Sequence, residues 1–269
     1  MISGAAVVAG VAGRPVAHSL SPVLHNAWIA AAGLDAAYVP FAPADEAGFR
    51  TLVSAGRAGL IRGLNITAPF KGEALALADT ASEAARRAGS ANLLIFESGR
   101  ARADSTDGLG LMAALAEQAP KLVLTDRPVA VLGAGGAARA AVAALIAAGA
   151  EVGVFNRTRE RAEVLAGDLG ARVISAGDLA EAGLVINALS VRPETDVAAL
   201  RADAVLMDMT YRPRITPFLA EGRARGLTVV DGLAMLIGQA GPSFRALFGI
   251  EPPLLDVRAL ALKALGDEA

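Results

Sequence analysis

The feature that most constrains this chain is the stretch from Pro128 to Thr158, PVAVLGAGGAARAAVAALIAAGAEVGVFNRT, which reads as strand, glycine turn, helix and second strand. PVAVL is apolar and β-branched, AARAAVAALIAAG is a strong helix former ending at Gly149, and EVGVF is a second buried strand. A phosphate approaches a backbone closely only where side chains are absent. Gly133 and Gly135, flanking Ala134, are placed for the tight turn and the close approach, and Gly136 keeps the helix N-terminus open to a pyrophosphate. Ala138 takes the third fingerprint position, where a small residue lets helix pack on strand.

The tip of the second strand selects the nucleotide. A ribose with free hydroxyls wants a carboxylate there, whereas a 2′-phosphate wants a cation. Here the tip is Asn156, Arg157 and Thr158, with Arg159 and Arg161 behind. Basic residues in a first helical turn oppose the dipole unless an anion sits among them. NADP is therefore expected over NAD.

Composition removes several function classes. A net charge of -2 gives no case for nucleic acid or an anionic membrane as partner. The chain has no cysteine, which excludes disulfides and thiol catalysis, and only two histidines, so no metal site is expected. Its 269 residues are 54% hydrophobic, enough for two modest domains. MISGAAVVAGVAGRP lacks a secretory pattern, and the helix after Gly136 carries Arg139 and is too short to span a bilayer. A cytoplasmic monomer or homodimer with a small-molecule substrate is expected.

Before Asp104 the pattern alternates: strands at Ala5 to Ala9, Ala37 to Phe41, Leu60 to Ile66 and Asn92 to Glu97, helices at Val23 to Ala32, Ala44 to Ser54 and Phe70 to Leu77. Ser21 is placed as N-cap of the first helix, with Pro22 in its first turn. A helix at Leu109 to Ala119 leads to the glycine turn, and strands follow at Arg172 to Ile174, Leu184 to Asn187, Ala204 to Met207 and Leu227 to Val230. The chain ends in helices at Leu233 to Phe248 and Leu254 to Leu265 with no strand after them, which suggests a return to the first domain. The fold class is α/β: two α/β domains, one a doubly wound parallel sheet.

Four polar islands interrupt the apolar pattern. Ser19 and Ser21 stand at the mouth of a helix, suited to a carboxylate or to sugar-like hydroxyls. Asn65 and Thr67 end a strand, and Lys71 follows in a first helical turn, where a buried amine has its pKa lowered and can exchange a proton. Asp107, in Thr106-Asp107-Gly108, either caps the next helix or partners Lys71. Asn92 offers a neutral donor and acceptor. Such groups can hold a polyhydroxy substrate and manage an alcohol proton while hydride moves to the dinucleotide.

In these islands the chain resembles the shikimate dehydrogenases. The serine segment Gly13 to Asn26, Asn65 to Lys71 (Asn-x-Thr-x-Pro-x-Lys), Asn92, Thr106 to Gly108, Gly133 to Ala137, Asn156 to Thr158, Asp208 to Tyr211 and Asp231 to Gln239 match family motifs in order. The resemblance implies NADPH-dependent reduction of 3-dehydroshikimate to shikimate in aromatic amino-acid biosynthesis. It implies that Ser19 and Ser21 bind the substrate carboxylate with Tyr211 nearby, that Asn65, Thr67, Asn92, Asp107 and Gln239 hold ring hydroxyls, and that Lys71 and Asp107 form the catalytic pair. For the cofactor it implies Gly133, Ala134, Gly135, Gly136, Ala137, Asn156, Arg157, Thr158, Arg161, Ala188, Leu189, Met209, Gly232 and Met235. It implies a mixed α/β substrate domain at 1–108, a Rossmann-type NADP domain at 109–238, and C-terminal helices at 239–269 completing the first, with a cleft between the two.

Leu189 stands where a threonine usually follows Asn187-Ala188, Leu93 replaces a threonine after Asn92, and Ala234 replaces a glycine. The alternatives are an NAD-using quinate/shikimate dehydrogenase, a folate-processing dehydrogenase, and a non-catalytic dinucleotide sensor. The last needs neither Lys71 nor Asp107.

Overall fold

The structure, a computed structural model, describes residues 2–266. The chain divides into two compact units, Met1–Thr106 with Gln239–Ala269, and Asp107–Gly238.

The first unit holds β1 (Val7–Ala12), α1 (Ser21–Ala31), β2 (Ala36–Phe41), α2 (Glu46–Arg57), β3 (Gly63–Ile66), α3 (Lys71–Ala76), β4 (Thr80–Ala81), α4 (Glu83–Ala88), β5 (Leu93–Glu97) and β6 (Arg100–Asp104). Its sheet order is β2-β1-β3-β5-β6-β4. β1 runs parallel to β2 and β3, while β5 is antiparallel to both β3 and β6, so the sheet is mixed. β1 extends past its expected end at Ala9 because Gly10 lets β2 come close: a Cβ at Gly10 would fall 2.0 Å from the Val39 carbonyl. β6 and α4 had no expectation from sequence. β6 reads Arg-Ala-Arg-Ala-Asp, its alanines buried and its arginines exposed, a period-two pattern too weakly apolar to stand out. One side of this unit packs around Phe49, Leu64, Phe70 and Leu94, with Phe49 and Phe70 stacked at 4.8 Å.

The second unit comprises α5 (Asp107–Gln118), β7 (Val129–Leu132), α6 (Gly136–Ala147), β8 (Val152–Phe155), α7 (Arg159–Leu169), β9 (Arg172–Val173), β10 (Leu184–Asn187), β11 (Val205–Asp208), α8 (Pro217–Ala224) and β12 (Thr228–Val230). Two short 3-10 turns flank β10. The strands pair in parallel in the order β12-β11-β10-β7-β8-β9. Counted within the unit this is 3-2-1-4-5-6 read from the other edge, the doubly wound dinucleotide-binding order, with its switch point between β7 and β10. Alternate residues enter different cores. Val129, Val131, Leu184 and Ile186 pack in one with Val142 and Leu145, and Ala130, Leu132, Val185 and Leu206 in the other with Phe218 and Leu219. Both faces are covered, which is why these strands read as unbroken apolar runs.

α9 (Gly232–Phe248) begins in the second unit and passes into the first at Gln239, and α10 (Val257–Leu265) follows. The other division falls at Asp107, where α5 starts, slightly ahead of the boundary expected at Gly108.

Candidate active site

In the first unit, sheet register gathers the polar islands. β1 and β3 are parallel with Val11 opposite Asn65 and Ala12 opposite Ile66, so the loops that follow them leave the sheet side by side. Those loops are laced together: the Thr67 N–H donates to the Ala12 carbonyl at 2.9 Å, and the Arg14 N–H to the Ala68 carbonyl at 2.9 Å. Gly13 has to be glycine, since a Cβ there would lie 2.1 Å from Thr67 Cγ2. The loop carrying Ser19 and Ser21 is thus anchored to the loop carrying Thr67 and Lys71.

Ser21 is not the helix cap expected from sequence. The N-cap is Leu20, itself in an α conformation and making no side-chain capping bond. Its carbonyl accepts from the Val23 and Leu24 N–H groups, so the turn starts one residue earlier and Ser21 is the first helical residue. Ser19 Oγ accepts from the Ser21 N–H at 3.3 Å. The Ser21 side chain is buried at the start of α1.

From Tyr38 a buried network runs through the unit. Tyr38 Oη donates to Asn65 Oδ1 at 2.8 Å, and Asn65 Nδ2 donates to Ser243 Oγ at 2.9 Å. Ser243 Oγ lies 3.1 Å from Thr106 Oγ1 and donates to the Gln239 carbonyl at 3.0 Å. Asn92 Nδ2 donates to Thr106 Oγ1 at 3.0 Å, and Asn92 Oδ1 accepts the Thr106 N–H at 2.8 Å. Gln239 Oε1 accepts from Thr106 Oγ1 at 3.2 Å and from Asn92 Nδ2 at 3.4 Å. Asn65, Asn92 and Gln239 are therefore joined through Thr106 and Ser243, all of them buried. Burial holds the Tyr38 hydroxyl well above its ordinary range, so it stays protonated and keeps donating.

Sequence reasoning gave no role to Tyr38, Ser243 or His25. Tyr38 and Ser243 sit in apolar runs, and only the fold shows what they face. His25 is fully buried, stacked on Tyr38 at 4.1 Å with the rings 6° from parallel, and neither ring nitrogen has a hydrogen-bond partner. Burial pushes its pKa down to about 3.

Lys71 is the first residue of α3 and half-buried, and its carbonyl accepts the Ala91 N–H at 2.9 Å, next to Asn92. Asp107 is buried at the first position of α5 in the second unit, where a carboxylate suits the helix dipole. Tyr211 belongs to the second unit, half-buried in the loop after β11.

The expected cofactor residues of the second unit follow the C-terminal ends of its strands, as ligand-binding residues of open parallel sheets do. Gly133 leaves β7 with φ +120°, a conformation that favours glycine, and its N–H donates to the Phe155 carbonyl at 2.8 Å. Gly135 is the N-cap of α6 with no side-chain cap, and a Cβ there would meet nothing within 4 Å. The first N–H groups of α6, from Gly136 and Ala137 onward, thus lack a side-chain cap beside a turn built from small residues. After β8, Asn156 Nδ2 donates to the Thr158 carbonyl at 2.8 Å and shapes the tip. Arg159 is committed to Glu163 at 2.9 Å, whereas exposed Arg157 and Arg161 make no ion pair among the described residues.

Ala188 and Leu189 follow β10, and Met209 follows β11. The Ala188 N–H donates to the Leu132 carbonyl at 3.0 Å and the Met209 N–H to the Asn187 carbonyl at 3.0 Å, tying these loops to the glycine turn. Beneath them Asn187 Nδ2 donates to Asp208 Oδ2 at 3.1 Å, and Thr216 donates to the same oxygen at 2.8 Å. A Cβ at Gly232 would fall 2.6 Å from the Thr210 carbonyl, so only glycine lets the start of α9 meet this loop; buried Met235 lies one turn further on. An open turn, an uncapped helix and two uncommitted arginines with no carboxylate at the tip fit a phosphorylated dinucleotide. A cavity of about 580 Å³ lined by Lys121, Arg127 and Asp203 lies at the opposite, N-terminal ends of these strands and shares none of these residues.

Among the described residues no helix is long and apolar enough to cross a membrane, and no three His, Asp or Glu side chains gather as a metal site.

Residues 11–94 match the family model of the shikimate dehydrogenase substrate binding domain, and residues 114–192 that of shikimate / quinate 5-dehydrogenase. The chain is 54% identical to a shikimate dehydrogenase (NADP(+)) of Caulobacter vibrioides over 99% of this chain and 98% of the relative. Among solved structures it is similar to a shikimate 5-dehydrogenase of Thermus thermophilus in complex with NADP(H) and shikimate, at TM-score 0.87 and 35% identity, covering 97% of this chain and 98% of that one. It is also similar to a quinate dehydrogenase of Corynebacterium glutamicum in complex with NAD, at TM-score 0.86 and 29% identity, covering 96% and 99%.

Proposed function

This chain belongs to the shikimate dehydrogenase family, and from that membership we propose that it catalyses the reversible NADP-dependent interconversion of shikimate and 3-dehydroshikimate. The observation that carries the cofactor choice is the strand tip with Arg157 and Arg161 unpaired among the described residues and no carboxylate beside them. When bound, NADP(H) accepts or supplies the hydride.

In this reading the chain's own residues bind, orient and manage the proton. The Ser19 and Ser21 hydroxyls donate to the substrate carboxylate, with Tyr211 near the same group. Thr67 and the buried amides of Asn65, Asn92 and Gln239 hold ring hydroxyls, their flip states set by the network that joins them. As the reacting hydroxyl is oxidised its proton must leave. Lys71 Nζ is the group we assign to that oxygen, as proton acceptor or as fixed cation beside the developing alkoxide, with Asp107 orienting lysine and substrate and balancing the charge. Gly133 to Ala137 hold the pyrophosphate, Asn156, Arg157, Thr158 and Arg161 the 2′-phosphate, and Ala188, Leu189, Met209, Gly232 and Met235 line the nicotinamide end. A cytoplasmic location belongs to the same reading, since the reaction draws on a freely diffusing pool of NADPH.

The test crosses shikimate and quinate with NADP and NAD in steady-state assays. Shikimate with NADP is expected to have the highest kcat/KM. Quinate brings an extra ring hydroxyl on the carboxylate-bearing carbon, and burying it without a partner costs about 1–3 kcal/mol. Equal efficiency on both acids would assign the dual-specificity activity instead.

A further inference from the structure

The Asn65 carboxamide has a buried hydroxyl on each side. Tyr38 Oη donates to Oδ1 at 2.8 Å, and Nδ2 donates to Ser243 Oγ at 2.9 Å and to the Asn92 carbonyl at 3.3 Å. The Asn92 carbonyl can only accept, which fixes the amide nitrogen on its side and the oxygen toward Tyr38. Ser243 gives its own proton to the Gln239 carbonyl, so toward Asn65 it too is an acceptor. A carboxamide has two N–H donors and two acceptor lone pairs. Both donors are spent and one lone pair is taken, so Asn65 has one acceptor left to offer.

The two hydroxyls are themselves well held. Tyr38 is fully buried and stacked on His25 at 4.1 Å, and Ser243 is fully buried on α9. We propose that Tyr38 and Ser243 are positioning residues that lock the Asn65 carboxamide with its oxygen as the presented group, so that the site selects a ligand hydroxyl able to donate. This rests on the reading of Asn65 as a substrate contact. A carbonyl, ether or fluorine at the same place meets an acceptor with an acceptor. The lock therefore acts on specificity, through Asn65, rather than on the chemical step.

The test compares Asn65→Ala, Tyr38→Phe and Ser243→Ala with the parent, using shikimate kinetics and the inhibition constants of analogues in which fluorine replaces each ring hydroxyl in turn. Tyr38→Phe keeps the ring on His25, and Ser243→Ala keeps a good helix former. In the parent, fluorine at one ring position is expected to weaken binding about tenfold or more, the loss of a matched hydrogen bond. That penalty should shrink at least about threefold in Tyr38→Phe and in Ser243→Ala, while shikimate KM rises about three- to tenfold, kcat stays within about threefold and the KM for NADP holds. A purely structural role would lower the melting temperature and leave the fluorine penalty intact. If Asn65→Ala abolishes the penalty and the two hydroxyl variants do not change it, the lock is wrong. If Asn65→Ala leaves shikimate KM unchanged, the substrate reading of Asn65 fails instead. Should Tyr38→Phe not be recovered folded, Ser243→Ala decides alone.

Discussion

Around Gly135 in the second unit an added Cβ would meet nothing within 4 Å, whereas around Asn65 in the first unit two other side chains and a carbonyl crowd one amide. One region is built to recognise by leaving side chains out, the other by interlocking them. Backbone N–H groups at a helix start serve any phosphate that reaches them, so what they need is room. A polyhydroxy ring needs donors and acceptors at fixed angles, and a buried amide keeps its flip state only if its neighbours are satisfied too. The two units should accordingly fail in different ways.

The hardest break is Lys71→Ala. It removes the amine assigned to the proton and alters none of the residues assigned to the cofactor, so turnover should fall roughly 10²–10⁴-fold with NADP affinity nearly intact. Pre-steady-state and steady-state assays at saturating NADP would show this. Turnover within a few-fold of the parent would return the lysine to an ordinary helix start.

Arg157→Ala should break only the second unit's selectivity. If the guanidinium meets the 2′-phosphate, NADP binding weakens by about 1.5–3 kcal/mol and NAD binding hardly changes. Calorimetric titration with each dinucleotide separates the cases, and equal losses for both would remove the arginine from the phosphate site.

His25 gives the first unit an acid sensitivity. Its pKa in the folded chain, about 3, lies below its ordinary value of 6.5, so protons bind preferentially to the unfolded chain. The neutral ring costs nothing above pH 6.5, and stability is lost as pH falls from there toward 3. Between pH 6.5 and 5 the loss from this residue is about 2 kcal/mol. His25→Phe keeps a flat ring against Tyr38 and sacrifices no hydrogen bond, because the imidazole nitrogens have none. Denaturation midpoints of this variant should be nearly flat over that window while the parent's fall. Parallel slopes would mean that carboxylates elsewhere govern the acid limb.

The same contrast explains what was legible in the sequence. In the second unit a spacing of glycines and apolar runs sufficed, since backbone recognition depends on local pattern, and β10 was placed residue for residue at Leu184–Asn187. The polar islands at Asn65 and Asn92 in the first unit, and at Asp107 where the second begins, stood out from their surroundings, but Tyr38 and Ser243 did not. Their partners are 27 and 178 residues away from them along the chain, at Asn65, and no periodicity encodes such a pairing. Ser21 was misplaced as a cap because serine before proline is the ordinary signature of one, whereas α1 takes Leu20 as its N-cap without any side-chain bond.

The smallest effect sharpens the comparison most, because it asks whether any side chain matters in the backbone-built site. Leu189 follows β10, its N–H tied to Asn187 Oδ1 at 3.1 Å, so the loop backbone is held whatever side chain it carries. Its Cδ2 lies 3.1 Å from where a Gly133 Cβ would be, so the leucine packs over the glycine turn. Leu189→Thr would exchange that apolar cover for a hydroxyl able to donate toward the dinucleotide. One added hydrogen bond in a partly solvated place contributes about 0.5–1 kcal/mol, a two- to fivefold fall in the KM for NADP, with shikimate KM and melting temperature nearly unchanged. A rise in the KM for NADP would make the leucine cover the better partner. The second unit would then, like the first, depend on a side chain fitted to its ligand.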